Sequence, residues 1–557
     1  MKYTSTRNST IDVTASEAIV KGISEEGGLF VPSDLENLPK FSPEDLSNMA
    51  FKQYNSYQEI AFEVLKAFLN FDDESLQRCI NDAYRVKTTH SNYYRSLKLG
   101  YEYGTIESNF NALDVARLVK LKSEEKQAPA HILELWHGPT AAFKDMALQI
   151  LPRMLKVSRQ TVKDGTVKTL ILVATSGDTG KAALEGFKNA EDTEIIVFYP
   201  EDGVSEMQKL QMTTQEGDNV HVFAVKGNFD DCQNAVKELF ADKDIVERTK
   251  KVGVSLSSAN SINWGRLCPQ IVYYVSSYVD LVRSKAIQSG DKINICVPTG
   301  NFGNILAAYY AMLMGVPVNR LICASNSNNV LSDFINTGAY DSEREFHTTV
   351  SPSMDILVSS NLERLLYHLS DGDDKQINKW FADLKKKGKF AVNKKLHDKI
   401  SSFFFGGWCS EIDTAKTIKA VFNEHGYLMD THTAVGYKVW QDYVNETGDN
   451  KTKTIIASTA NPYKFGDAVY NALYGEYIPD IDEDEESDEN EVANQESSQN
   501  SGDFEYVNVE SCALIAQLSK RTDIGIPKAL SDIVGKEVRF NEVLDKSKIK
   551  DAVLKIL

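Results

Sequence analysis

Lys144 is the residue of this sequence whose surroundings most suggest covalent chemistry. It stands in HILELWHGPTAAFKDMALQ (131–149), where an apolar strand breaks at a His-Gly-Pro-Thr turn and a helical pattern follows. A lysine near a helix start is usually a solvated surface residue. A buried lysine, however, can lose its proton and form a Schiff base with a carbonyl compound. That role for Lys144 requires other loops that could hold a carbonyl-bearing, phosphorylated ligand beside it.

The loop 175–180 (TSGDTG) follows a buried strand and precedes a helix. Free backbone N–H groups and the positive end of the helix dipole attract anions at such a position, and the two glycines allow close approach. Side chains that could contribute are Thr175, Ser176, Asp178 and Thr179. The alternative is an ordinary structural N-cap made by Ser176 or Asp178.

A second strand, INICVP, runs into GNFGN, which again precedes a helix. This loop predicts a phosphate cradle whose members are Gly300, Asn301, Phe302, Gly303 and Asn304. Its GxxG spacing, with no acid placed to bind a ribose, disfavours a dinucleotide site, and no GK[ST] follows as in a P-loop.

Hydroxyl residues end a third buried strand, KTIIAST, at Ser458 and Thr459. Ligands bind α/β sheets at the carboxyl ends of their strands, so these side chains could face a ligand. The alternative is a turn in which the backbone satisfies both hydroxyls.

Arg266 and Ser261 lie close together in SINWGR, just before a long helix pattern. The guanidinium could bind a phosphate or carboxylate with two hydrogen bonds. The alternative for Arg266 is a surface ion pair.

Each of these features is weak alone, but together they predict one kind of site. Two anion-binding loops, an arginine and a lysine suggest a phosphorylated cofactor and a second, anionic substrate. Pyridoxal 5'-phosphate is the cofactor that joins a phosphate to a Schiff-base lysine.

The rest of the chain predicts the scaffold for this site. Apolar strands alternate with helices from about residue 131 to 313, which indicates α/β architecture with parallel sheets covered on both faces. We expect two doubly wound, mostly parallel open sheets and a helical N-terminal domain. The expected domains are 1–86; a large domain of 87–148 and 258–557; and a smaller domain of 149–257.

The composition favours a soluble cytoplasmic enzyme. The net charge of −18 disfavours nucleic-acid binding, and no apolar run is long enough to predict a membrane span. The first residues lack the apolar core of a secretory signal. The 7 scattered cysteines form no CxxC pair, which predicts free thiols in a reducing compartment and no metal site.

Residues 480–505 carry many acidic residues and no basic one. Such a segment cannot bury a core, so we expect a disordered acidic insertion within a domain. A solvated tether is the first interpretation, and a specific acidic interaction segment is the alternative.

Taken together, the motifs HGPTAAFKD, ATSGDTGKAA, SINWGR, PTGNFGN and STANPYKF resemble threonine synthase, a family of fold-type II pyridoxal-phosphate enzymes. The resemblance runs nearly end to end, from MKYTSTR and GGLFVP to KEVRFNEVLD, apart from the acidic insertion. One departure is Asn461, where many members have histidine.

The resemblance implies a role for each site residue. Lys144 would carry the cofactor and Thr459, or its neighbour Ser458, would bind the pyridine nitrogen. The remaining cofactor-binding residues would be Phe143, Asp178, Gly300, Asn301, Phe302, Gly303 and Asn304. The substrate-binding residues would be Thr175, Ser176, Thr179, Ser261, Arg266 and Asn301. A carboxylate at Asp178 would be repelled by the cofactor's phenolate, so its charge state needs an explanation.

The resemblance also implies the activity. A threonine synthase converts O-phospho-L-homoserine and water to L-threonine and phosphate, in the last step of threonine biosynthesis, and we expect a monomer or homodimer. One alternative is a phospholyase that releases 2-oxobutyrate. Another is a non-catalytic binding protein on the same scaffold.

Overall fold

A computed structural model describes residues 1–51, 56–85, 115–121, 130–162, 165–475 and 511–557. The predicted acidic insertion, 480–505, lies outside these residues, as do residues 87–114 of the predicted large domain. The strands are β1 Lys2–Ser5, β2 Asn8–Thr14, β3 Phe30–Pro32, β4 Arg117–Lys120, β5 Ala130–Glu134, β6 Lys168–Ala174, β7 Thr193–Pro200, β8 Val220–Val225, β9 Val254–Ser258, β10 Ile293–Pro298, β11 Val318–Ser325, β12 Ala339–Asp341, β13 Lys389–Ala391, β14 Phe404–Trp408, β15 Thr454–Ser458 and β16 Val543–Leu544.

The α-helices are α1 Ala15–Lys21, α2 Pro43–Phe51, α3 Tyr57–Phe68, α4 Asp73–Ala83, α5 Asp145–Leu148, α6 Leu151–Thr161, α7 Asp178–Phe187, α8 Glu206–Thr213, α9 Phe229–Ala241, α10 Lys243–Lys251, α11 Trp264–Arg283, α12 Gly303–Leu313, α13 Val330–Thr337, α14 Leu362–Leu369, α15 Asp374–Lys387, α16 Lys394–Phe403, α17 Glu411–His425, α18 Thr431–Thr447, α19 Gly466–Tyr474, α20 Ser511–Thr522, α21 Lys528–Ser531 and α22 Ile549–Ile556. Short 3₁₀ helices cover Pro352–Met354, Pro462–Phe465 and Lys546–Lys548.

The larger sheet has the order β14-β11-β10-β15-β5-β4. Its strands are parallel except β4, which pairs antiparallel with β5 at the edge. The central strands β10 and β15 are buried along their whole length, as their mainly apolar sequences predict for strands covered on both faces.

The smaller sheet has the order β16-β8-β7-β6-β9, and all of its strands are parallel. Both sheets confirm the predicted architecture. One predicted boundary is wrong, because β16 belongs to this smaller sheet although it was expected in the large domain. The reason is a short pairing with β8, after which Ile549, Ala552 and Val553 of α22 pack into the same core.

The N-terminal residues contain the predicted helices and also an antiparallel sheet, β2-β1-β3. The strands β1 and β2 are mostly polar, so their hydrophobic pattern gave no strand signal. Arg7 attaches this region to α14 through an ion pair of 2.8 Å with Glu363, which also accepts a hydrogen bond from Thr6.

Helix α11 runs through the interior, and nearly all of its residues are buried. A helix that is apolar on every side requires packing on every side. In the described ranges, no helix is long and apolar enough to cross a membrane.

Candidate active site

Lys144 lies immediately before the short helix α5, as the sequence predicted. Its Nζ lies 4.2 Å from the centre of the Phe143 ring. Burial, followed by the positive charge of Arg266, lowers the pKa of Lys144 to about 7. The side chain can therefore exist as a neutral amine near neutral pH, which is the form that attacks a carbonyl carbon or accepts a proton.

The turn before Lys144 is held by Asp145. The amide and hydroxyl of Thr140 donate to the Asp145 carboxyl at 2.8 and 2.7 Å. A Cβ on Gly138 would lie 2.5 Å from Asp145, which explains a glycine there. Burial raises the pKa of Asp145 to about 7. His137, for which the sequence suggested no chemical role, interacts with Glu134 at 2.8 Å and supports the turn.

The loop 175–180 differs in detail from the prediction. The Thr175 hydroxyl accepts hydrogen bonds from the amides of Gly177 and Gly180 at 2.9 and 2.8 Å. These two amides are therefore not among the free N–H groups that the loop could offer to an anion. The structural alternative is wrong, because the N-cap of α7 is Gly177, with φ of 131° and no side-chain cap.

Residues 299–302 connect β10 to α12, which begins at Gly303, and Phe302 adopts the left-handed conformation at φ 59°. A Cβ on Gly300 would lie 2.7 Å from the Ser353 carbonyl oxygen, so this backbone approach requires glycine. The Asn304 side-chain oxygen accepts hydrogen bonds from Tyr273 and Tyr274, while its buried Nδ2 has no partner among the described residues.

Arg266 is buried, with 2% of its surface exposed. Burial lowers its pKa to about 10. It donates to the Ala259 carbonyl oxygen, but within the described ranges its Nε has no hydrogen-bond partner and no carboxylate pairs with it. The alternative of a surface ion pair is therefore wrong. An unpaired buried guanidinium is suited to an anionic ligand.

Ser458 and Thr459 point to different places at the end of β15. The Ser458 hydroxyl accepts hydrogen bonds from Trp136 at 2.9 Å and from Thr433 at 3.0 Å. Thr459 lines the cleft beside Lys144. Successive side chains of an extended segment point to opposite sides, so Ser458 is not placed to substitute for Thr459.

All of the predicted site residues line this one cleft: Phe143, Lys144, Thr175, Ser176, Asp178, Thr179, Ser261, Arg266, Gly300, Asn301, Phe302, Gly303, Asn304 and Thr459. Asn461 does not line it; its side chain caps the 3₁₀ helix by accepting from the Tyr463 amide at 3.1 Å.

Sequence reasoning missed Lys464. This lysine is fully buried, and its Nζ lies 2.8 Å from Asp178 Oδ1. Burial alone would raise the pKa of Asp178, but Lys464 and the hydrogen bond from Gln208 bring it below its ordinary value. The Lys464 cation therefore explains how a carboxylate can be charged at this position. The lysine was visible in STANPYKF, but nothing in that motif predicted its partner.

Sequence reasoning also missed His432, which lines the cleft from the start of α18. Its Nε2 accepts a hydrogen bond from the Ser353 amide at 3.2 Å. Its Nδ1 therefore carries the proton and donates to Asp430 at 2.8 Å. Asp430 directly precedes α18 and caps it, so an Asp before a helix and a His at its second position were the only local signal.

Family profiles match three parts of the chain. Residues 2–84 match "Threonine synthase N terminus", residues 114–390 match "Pyridoxal-phosphate dependent enzyme", and residues 433–500 match "Threonine synthase, C-terminal". Threonine synthase of Saccharomyces cerevisiae is 36% identical over 495 residues, which cover 85% of this chain and 89% of that protein.

The chain belongs to the threonine synthase family. Human threonine synthase-like 1 is 40% identical over 466 residues, covering 82% of this chain and 58% of that protein. The chain thus spans less than two thirds of the length of its mammalian relatives. The crystal structure of threonine synthase from yeast superposes with a TM-score of 0.78, covering 100% of this chain and 98% of that one at 30% identity. The pyridoxal-phosphate-bound threonine synthase from Brucella melitensis gives 0.76 at 32% identity, with coverage of 100% and 98%.

The cofactor of this threonine synthase family member is pyridoxal 5'-phosphate, and the cleft is chemically suited to it. The half-buried amine of Lys144, a loop that a Cβ would obstruct, and the unpartnered groups Asn304 Nδ2 and Arg266 Nε lie around one space. Asp178 is the one carboxylate among the described residues that line the cleft, and the buried Lys464 balances its charge. The buried cation Arg266 is left without a counter-charge, so the cleft favours a ligand with negative charge.

Proposed function

We propose that this protein is a threonine synthase, which converts O-phospho-L-homoserine and water to L-threonine and phosphate. The observation that carries the proposal is a half-buried lysine with a lowered pKa, in the same cleft as two Gly-containing loops and an unpaired buried arginine. An amino-acid substrate with a phosphate ester provides the second anion that such a cleft can bind.

Each predicted residue takes its proposed role within this cleft. Lys144 would attach the cofactor, the loop 300–304 would bind its phosphate, Thr459 would bind its ring nitrogen, and Phe143 and Asp178 would contact its ring. Thr175, Ser176, Thr179, Ser261, Arg266 and Asn301 bind the substrate. The buried, unpaired guanidinium of Arg266 supports this division, because it leaves a cation for a phosphate other than that of the cofactor.

The proposed mechanism uses the properties of these side chains. When bound, pyridoxal phosphate supplies an electron sink that stabilises negative charge on the substrate carbons. The Lys144 amine removes the proton from Cα and moves a second proton at Cβ, which its pKa of about 7 permits near neutral pH. Arg266 holds the phosphate as it leaves Cγ. Water then adds its hydroxyl at Cβ and gives its proton to the released phosphate, and Lys144 returns the two protons that it removed, one to Cα and one to Cγ.

The proposal includes the setting in which the enzyme works. We propose a cytoplasmic enzyme, a monomer or homodimer, with domains built around the two sheets. All 7 cysteines are free thiols, which supports a reducing compartment. The membership of each sheet supports the domain division, except for the C-terminal segment from β16 onward.

The deciding experiment incubates the purified protein with O-phospho-L-homoserine and measures phosphate and the organic product. Threonine formed with equimolar phosphate is the expected result. Formation of 2-oxobutyrate with phosphate would instead identify a phospholyase. A protein that stays colourless after addition of pyridoxal phosphate, and releases no phosphate, would be a binding protein.

A further inference from the structure

The ion pair between Lys464 and Asp178 is buried on both sides, with 0% and 4% of the side chains exposed. Lys464 Nζ and Gln208 Nε2 both bind Asp178 Oδ1, each at 2.8 Å. Asp178 Oδ2 has no hydrogen-bond partner among the described residues, and Asp178 lines the cleft. The protein therefore binds Oδ1 of Asp178, and Oδ2 is available to a ligand.

Lys464 also connects this pair to the segment that positions Lys144. Its Nζ donates to the Thr140 carbonyl oxygen at 3.0 Å, and Thr140 is the residue that binds Asp145 next to Lys144. The Lys464 carbonyl oxygen accepts a hydrogen bond from Ser205, the cap of α8. A single buried ammonium thus joins the turn before Lys144 to the carboxylate of the opposite wall.

The charges around Lys144 are balanced through this pair. Burial and the charge of Arg266 lower the pKa of Lys144, Asp178 raises it, and Lys464 lowers it again. Without Lys464, Asp178 would be an uncompensated carboxylate that stabilises the protonated amine. Without Asp178, Lys464 would be an uncompensated cation that destabilises it.

We propose that Lys464 is a positioning residue that balances the charge of Asp178, so that a carboxylate can face the bound cofactor while Lys144 stays available as a neutral amine. The inference rests on Lys144 being the cofactor lysine of the proposed function, and is independent of the substrate. The charged or titratable groups that interact within this arrangement are Lys144, Arg266, Asp178, Lys464 and His432, together with Asp145 and Lys181, which both feel the charge of Lys464.

The test measures how fast the apoprotein acquires the visible absorption of attached pyridoxal phosphate, as a function of pH and without substrate. The rate depends on the unprotonated fraction of Lys144, so the midpoint, the pH at which the rate is half-maximal, reports the pKa of Lys144. The proteins compared are the wild type, Lys464→Met, Asp178→Asn, the double variant, and the exposed-surface control Lys156→Met.

We expect the midpoint to rise by about one pH unit in Lys464→Met and to fall by about one unit in Asp178→Asn. The double variant and Lys156→Met should each have a midpoint close to that of the wild type. The proposal would be overturned if the midpoints of the two single variants shifted in the same direction or did not shift. If Lys464→Met does not fold, Asp178→Asn and the double variant still test the proposal. A midpoint that is lowered in Asp178→Asn and stays lowered in the double variant would contradict a balance of charge between the two residues.

The outcome is separable from that of the proposed function. Normal loading with unshifted midpoints would reject the role of Lys464 alone. A wild-type protein that never acquires the absorption would reject the assignment of Lys144, and the inference with it.

Discussion

The backbone amide of Phe143 donates a hydrogen bond to the carbonyl oxygen of Thr459 at 2.8 Å. An isolated antiparallel bridge joins Ala142 to Ala460, and the Asn461 amide donates to the Ala141 carbonyl oxygen at 3.0 Å. Backbone hydrogen bonds therefore join the segment that leads into Lys144 to the segment that follows β15. The distance between the reactive lysine and the proposed ring-nitrogen partner is fixed by main-chain hydrogen bonds, which side-chain changes disturb least.

Replacing Lys144 by alanine should abolish covalent attachment of the cofactor and lower turnover by several orders of magnitude, because the carbonyl loses its amine partner. Borohydride reduction of the loaded wild-type protein, followed by peptide mass mapping, should label Lys144. Lys156→Ala, an exposed lysine paired only with Glu191, is the control and should behave as wild type. A label on a different lysine would contradict the assignment.

Replacing Arg266 by methionine should raise KM for O-phospho-L-homoserine roughly 10- to 100-fold, the value of a charged hydrogen bond. The melting temperature of the apoprotein should not fall, because the buried guanidinium lacks a carboxylate partner in the described structure. Steady-state kinetics and thermal denaturation measure both effects. Arg248→Met, at an exposed ion pair with Asp244, is the matched control. An unchanged KM in Arg266→Met would remove Arg266 from the substrate site.

Replacing Gly300 by alanine should weaken cofactor binding by roughly 10- to 100-fold, since overpacking costs about 1–3 kcal/mol. The added Cβ would lie 2.7 Å from the Ser353 carbonyl oxygen and 3.2 Å from Met354 Cα, and backbone atoms cannot rotate away. Titration of the apoprotein with pyridoxal phosphate measures the change. Gly525→Ala has nothing within 4 Å and should bind as wild type. Equal affinities of the two variants would show that the loop 300–304 does not contact the cofactor.

The stability of the apoprotein should depend on pH through Lys144. Its pKa is lowered from 10.5 to about 7, so the folded state binds fewer protons than the unfolded state between these values. The free energy of unfolding should therefore rise as pH increases from 7 toward 10.5, by at most about 1.4 kcal/mol per pH unit. Urea denaturation of wild type and Lys144→Met, compared at several pH values, isolates this contribution. A difference between the two proteins that stays constant with pH would contradict the lowered pKa.

The parts of the site that follow strands could be predicted from the sequence. The loop 300–304 and residue Thr459 follow the neighbouring strands β10 and β15 of the larger sheet, and the loop 175–180 follows β6 of the smaller sheet. Each lies at the carboxyl end of a buried parallel strand, which is where α/β sheets bind ligands. The residues that were missed reach the cleft by tertiary packing. His432 arrives from the first turn of α18, and Lys464 from a 3₁₀ helix, and no local pattern indicates their partners.

The fold was predictable to a similar extent and for the same reason. Long apolar strands alternating with helices indicated both parallel sheets. The strands β1, β2 and β16 carry little hydrophobic pattern, so their pairing could not be predicted from their own sequences. Likewise, the Thr175 hydroxyl accepts hydrogen bonds from two amides of its own loop, and the composition of the loop does not predict these bonds.

The pairing of β16 with β8 has a consequence for biosynthesis. During translation, β6 to β9 emerge early, but the outer edge of β8 is open until residues 543 and 544 leave the ribosome. An open parallel edge can recruit strands of other nascent chains. Premature termination before Val543 should therefore yield a protein with an intact cleft lining that self-associates through β8, and its main defect would be loss from the soluble fraction.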